Sequence, residues 1–151
     1  MKQHIVRFLH AGCLCLAVSL PSAFAQPSQM LTVDLPFAFQ VSNKQFPAGK
    51  YQVKAEAGHA VVLLRGVDCK QAVLSLTTPI DSKKTREDST LVFSRYGDRY
   101  FLSQIWVGGS NSGRGLPASA AEREVARSWA MSAPKPATEV VAVLGLPDVR
   151  K

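Results

Sequence analysis

Cysteine and histidine are almost missing from the part of this chain that would fold. The sequence has 151 residues and three of each, but Cys13, Cys15, His4 and His10 fall in an apolar leader, which leaves Cys69 and His59. A single thiol closes no internal disulfide, so apolar burial must hold the fold together. One histidine and one cysteine also fall short of the three or four converging ligands that a zinc site needs. No Asp-x-Asp-x-Asp-Gly loop for calcium occurs, and nothing among the 11 acidic residues singles out a carboxylate pair for glycoside cleavage. No apolar run reaches the ~20 residues of a membrane-spanning helix. No cofactor, no metal and no transmembrane segment beyond the leader is expected.

The leader itself is informative. Lys2 and Arg7 precede the apolar residues 11–20, and Ala23 and Ala25 stand three and one before a cut after Ala25. This is the pattern of a cleaved secretory signal over residues 1–25, so the protein is expected to be exported, either periplasmic or secreted. His10 occupies a place where a lipoprotein signal carries an apolar residue, which argues against acylation of Cys13. Residues 26–151 then form one domain, long enough to bury a real core. Without the leader's two basic residues the net charge is +5. The densest cluster, Lys83-Lys84-Thr85-Arg86, is answered at once by Glu87-Asp88. Such a balance suits solubility or weak attraction to anionic surfaces, with no nucleic-acid partner expected.

The clearest local signal is TLVFSRYGDRYFLSQIWV, residues 90–107. Two β-branched and aromatic runs flank Gly97-Asp98, and a Gly-first pair of this kind suits a type II′ hairpin turn. The turn predicts Tyr96 opposite Arg99, Arg95 opposite Tyr100 and Phe93 opposite Leu102, with each Arg across from a ring. Upstream, Leu31, Val33, Leu35, Phe37, Phe39 and Val41 recur at period two and predict a strand over 31–41. Pro36 places that strand at an edge or at a bulge. Further strands are expected at 50–55, 60–65, 71–78, 90–96, 99–107 and 139–144. The run at 60–65 has no polar side, which suits cover on both faces; in 71–78, Ala72, Leu74 and Leu76 alternate with Val73, Ser75 and Thr77. Residues 108–115 hold four glycines and read as a flexible loop without the lysine of a phosphate-binding motif. Ser119 and Glu122 form a capping box for a helix over 119–131, with Ala121, Val125 and Trp129 on one face and Glu122 to Glu124 mostly outside. The fold class is therefore mainly β: an antiparallel sandwich or partly open barrel of about seven strands with one C-terminal α-helix.

The stretches VDLPFAFQV (33–41), FPAGKYQV (46–53) and FSRYGDRYFLSQIW (93–106), with Leu116-Pro117 and the helix after them, resemble a family of small, uncharacterised exported bacterial proteins. The resemblance implies a signal peptide and a mainly β domain. It carries no activity or site that transfers to these residues.

Catalysis finds little support. If 60–65 and 71–76 form a hairpin, His59 and Cys69 lie at opposite ends, about 20 Å apart at ~3.3 Å per residue, which argues against a dyad. Cys69 is expected to be buried or else available for intermolecular pairing. The leading expectation is an exported non-catalytic module with a binding or structural role in the cell envelope, its partner a protein or a glycan. Tyr51, Arg95, Tyr96, Arg99, Tyr100 and Trp106 are the candidate surface, since such residues are favoured at interfaces. The alternatives are a barrel-type carrier of a small apolar ligand and a hydrolase using His59 with a hydroxyl residue.

Overall fold

A computed structural model of the chain describes residues 29–55, 60–131 and 137–142. The expected signal segment and His59 lie outside the described residues. The strands are β1 (Gln29–Leu35), β2 (Phe39–Val41), β3 (Lys44–Phe46), β4 (Gly49–Ala55), β5 (Val61–Gly66), β6 (Ala72–Leu76), β7 (Thr78–Asp81), β8 (Thr90–Tyr96), β9 (Arg99–Trp106), β10 (Ser112–Gly115) and β11 (Ala137–Ala142). One helix, α1 (Ala120–Ala130), precedes β11. One sheet has the order β1-β4-β5-β6, the other β11-β8-β9-β10-β7, and β2 joins β9 while pairing with β3. The described strands form two sheets and do not close into a barrel. The architecture is a mainly β sandwich with one C-terminal helix.

Two segments that read as single strands are each split between the sheets. The expected strand over 31–41 breaks at Pro36, whose missing N–H ends the ladder. β1 stays in the first sheet and β2 enters the second. At this crossing Phe37 stacks on Tyr100, ring centroids 4.1 Å apart. The segment 71–78 divides in the same way around Thr77 into β6 and β7. Pro79 sits within β7, opposite Arg114, because β7 is an outer strand where a missing donor costs little.

The glycine-rich stretch also differs from its expected loop. Ser112–Gly115 forms β10, wedged between β9 and β7. Gly113 lies flat against the Trp106 ring, and a Cβ placed there would fall 2.5 Å from Cε3. Glycine serves close packing here, not flexibility.

The β8–β9 hairpin has the expected pairing: Tyr96 opposite Arg99, Arg95 opposite Tyr100 and Phe93 opposite Leu102. Gly97 has φ +62°, as a Gly-first turn requires. Beyond Leu102 the ladder slips by one residue, so Val92 faces Gln104 and Ser103 is the extra residue of a β-bulge. The Ser103 hydroxyl donates to the Val92 carbonyl at 2.9 Å. This slip keeps Leu102 and Ile105 on one face although they are three apart. Both belong to the core between the sheets, with Leu35, Val53, Leu64, Leu91 and Phe93. Burial of each such side chain is worth ~1.5–3 kcal/mol.

The opposite face of β8 carries Ser94 and Tyr96 towards α1. The Tyr96 ring meets Trp129 and Phe101 edge-on, at 6.4 and 5.8 Å between centroids. Trp129 thus anchors the helix to the sheet, as its spacing suggests. Glu122 departs from expectation: it is buried rather than outside. Its N–H donates to the Ser119 hydroxyl at 3.0 Å, and its carboxyl takes bonds from Ser94 and the Ser119 backbone. A capping-box side chain must turn back over the first helical turn, and that turn lies on the sheet.

Candidate functional site

The hairpin residues do not make one surface. Successive pairs of an antiparallel ladder point to opposite faces, so Arg95 and Tyr100 share one side of the sheet and Tyr96 and Arg99 the other. Arg95 lies over the Tyr100 ring at 5.3 Å, and its Nε donates to the Gly97 carbonyl at 2.8 Å. Tyr100 in turn is stacked on Phe37. Tyr96 is occupied by Trp129 and Phe101. Arg99 is exposed, and with Tyr100 and Asp98 it borders a depression of about 140 Å³ beside β2. Trp106 is 4% exposed, covered by Gly113 and by the Arg86 guanidinium 4.5 Å from its centroid. Tyr51 is fully buried. Neither Trp106 nor Tyr51 offers area to a partner.

A different surface emerges on the first sheet. Along β6, Val73 and Ser75 are buried, whereas Leu74 and Leu76 are 68% and 69% exposed. Thr77 continues the inward set at 4% exposure, and among the described residues its Oγ1 has no hydrogen-bond partner. The more apolar set of this alternating strand thus faces outward. The cause lies in the turn before it. Gly66 N–H donates to Gln71 O at 2.9 Å and Val67 N–H to Lys50 O at 2.9 Å. This closure sets Leu64 opposite Val73 and Leu63 opposite Leu74. A slip of one residue would reverse every side chain. On the outer face Val61 and Leu63 are half-buried and adjoin Leu76 and Leu74, so β5 is not covered on both faces by described residues.

These outward leucines escaped the sequence reading because both alternating sets contain an apolar residue. The signal that could have found them is the length of the turn between β5 and β6, which fixes the face once the register of β5 is known. At the start of β6 a depression of about 350 Å³ opens towards β3, lined by Lys44, Gln45, Phe46, Lys70, Gln71 and Ala72.

Titratable groups elsewhere serve the fold. Cys69 is half-buried and packs against the core. Burial, followed by the charge and hydrogen bonding of Cys69, pushes the Tyr51 hydroxyl up to about 12. The Tyr51 hydroxyl donates a hydrogen bond to the Pro47 carbonyl. Burial also raises Glu122, while its bonds to Ser94 and Ser119 pull the other way. Among the described residues no three His, Cys, Asp or Glu side chains converge as a metal site. No helix among them is long and apolar enough to cross a membrane. The hydrolase expectation rests on His59, outside the described residues.

Comparison with family models, curated proteins and solved structures finds no match for this chain.

Proposed function

We propose that this protein is an exported, non-catalytic β-sandwich module that binds a protein partner in the cell envelope, and that the outer strand β6 is its contact surface. The observation that carries this reading is the outward placement of Leu74 and Leu76 while Ser75 and Thr77 are buried on the same strand. That arrangement leaves two leucines in water and a threonine hydroxyl inside, opposite to what folding alone favours. An exposed apolar patch with a polar rim is a common mark of an interaction site. Export is supported by the leader pattern of residues 1–25.

The test is crosslinking of the protein in envelope extract, comparing the wild type with Leu74→Ser/Leu76→Ser and with Arg95→Ala/Arg99→Ala. The expected result is a discrete crosslinked partner that the leucine double variant loses and the arginine variant retains. Loss with the arginine variant alone would move the surface to the β8–β9 hairpin.

A further inference from the structure

We propose that the β6 edge takes up an extended peptide that alternates apolar residues and carries carboxylates at the end lying beside Ala72. This inference rests on the reading of β6 as a partner-binding strand and names the chemistry of what binds there.

The backbone of β6 sets the mode of recognition. Gly66 N–H donates to Gln71 O, and Thr77 N–H donates to Ala60 O. In an antiparallel ladder the residues that bond to the neighbour alternate with those that do not. Gln71, Val73, Ser75 and Thr77 therefore turn their N–H and C=O groups to β5. Ala72, Leu74 and Leu76 turn theirs away from it, to the side where no described strand pairs. The Lys44 ammonium, 3.4 Å from the Ala72 carbonyl, reaches one of these outward groups. The residues with outward backbone groups are thus the same ones whose side chains are exposed. An added strand would gain ladder hydrogen bonds and apolar side-chain contacts together.

Outer strands are ordinarily guarded against such pairing by charge, proline or shortness. Here β1 carries Asp34, β7 carries Pro79 and Asp81, β11 carries Glu139, and β3 has three residues including Lys44. The sequence of β6, AVLSL, has neither charge nor proline. Among the terminal strands of the described sheets it is the unguarded one.

Charge identifies the occupant. Lys44 and Lys70 line the depression at the Ala72 end of β6, and Arg65 stands opposite Ala72 on β5. Asp68, in the turn, is the one acid near these three cations in the sequence around β6. The exported chain without residues 1–25 is basic as well, at +5. Basic groups at one end and leucines at the other match a strand with carboxylates at one end and apolar residues along its length. A second copy of this chain, paired antiparallel about a twofold axis, would set the uncharged Leu76 end of its own β6 beside Lys44 and Lys70 and answer neither, so it is the less complementary occupant.

The experiment measures binding of short synthetic peptides by fluorescence anisotropy at low and high salt. One peptide alternates leucine with threonine and ends in aspartates, a second ends in lysines, and a third repeats the first with every leucine nitrogen, the set that would face β6, methylated. The aspartate peptide is expected to bind, at least tenfold tighter than the lysine peptide, and to weaken with salt. Lys44→Glu/Lys70→Glu should reverse the order of the first two. The methylated peptide should not bind, and Leu74→Ser/Leu76→Ser should abolish binding while the circular dichroism spectrum stays native. Equal binding of the aspartate and lysine peptides, still abolished in the leucine variant, overturns the acidic specificity and leaves the partner-binding reading standing. Binding of the methylated peptide overturns strand addition. If no peptide binds, and sedimentation shows a dimer that the leucine variant dissociates, the occupant is a second copy and the inference fails. If no peptide binds to a monomer whose crosslinked partners ignore the leucine substitutions, both readings fail.

Discussion

Gly113 closes one face of the Trp106 indole, and Arg86 lies over the ring with its guanidinium 4.5 Å from the centroid. The Arg86 Nη1 also donates to the Thr90 hydroxyl at 3.4 Å, which ties the charged segment before β8 to the sheet. What reads in the sequence as a solvated run of charges therefore contains one arginine that acts as a packing residue. Gly113→Ala is expected to lower stability by about 1–3 kcal/mol, because a methyl there must displace a ring held from the other side. Arg86→Ala should cost about 0.5–2 kcal/mol through the lost cation–π contact. Chemical denaturation measures both.

The face of β6 can be read from a pair of adjacent substitutions. Val73→Ala should destabilise by about 1–2.5 kcal/mol, since it empties space between the sheets. Leu74→Ala should change stability by less than about 0.5 kcal/mol. Equal effects would mean that the register is not Leu64 opposite Val73.

Thr77→Val removes a buried hydroxyl that lacks a partner among the described residues and keeps its shape. The expected change is a gain of about 1 kcal/mol in unfolding free energy. A loss of similar size would show that the hydroxyl is satisfied in solution.

Deleting Ser103 should still allow folding at a cost of about 1–3 kcal/mol, because without the extra residue Leu102 and Ile105 become two apart and keep the core face, while the bonds of Ser103 to the Val92 carbonyl and from the Leu116 N–H are lost. Ser103→Ala keeps the count and loses only the bond to the Val92 carbonyl, at about 1 kcal/mol. The contrast between the two, read by thermal melting, separates the bulge itself from the hydroxyl's hydrogen bond.

Glu122 makes stability depend on pH. Burial raises its carboxyl above the ordinary 4.5, so the folded chain holds the proton more tightly than the unfolded one. Its contribution is full below the unfolded value and is lost as pH rises through the higher folded value. Glu122→Gln cannot ionise, so the wild type should lose stability relative to this variant as pH climbs from about 4.5. Melting the two proteins side by side from pH 3 to 8 checks the sign. Ser119→Ala should cost about 1 kcal/mol over the same range through the lost cap.

Local chemistry determined a good part of this protein from the sequence alone. The β8–β9 hairpin was legible because Gly97-Asp98 sets its own pairing. The helix was legible because Ser119, Glu122 and the Ala121–Val125–Trp129 spacing all act within a few residues. The period-two runs identified most strands, and their weight identified a mainly β domain.

The tertiary structure decided what depends on distant partners. Which sheet receives each half of residues 31–41 and 71–78 follows from Pro36 and Thr77 meeting different neighbours, not from periodicity. Gly113 became a strand residue because Trp106 needs a flat neighbour. Glu122 became buried because the first turn of α1 lies on β8. The outward face of Leu74 and Leu76 was set by the closure from Gly66 to Gln71, which transfers the register of β5 to β6. A strand's period is written in its own residues, but its face and its sheet are chosen by the ladder it joins.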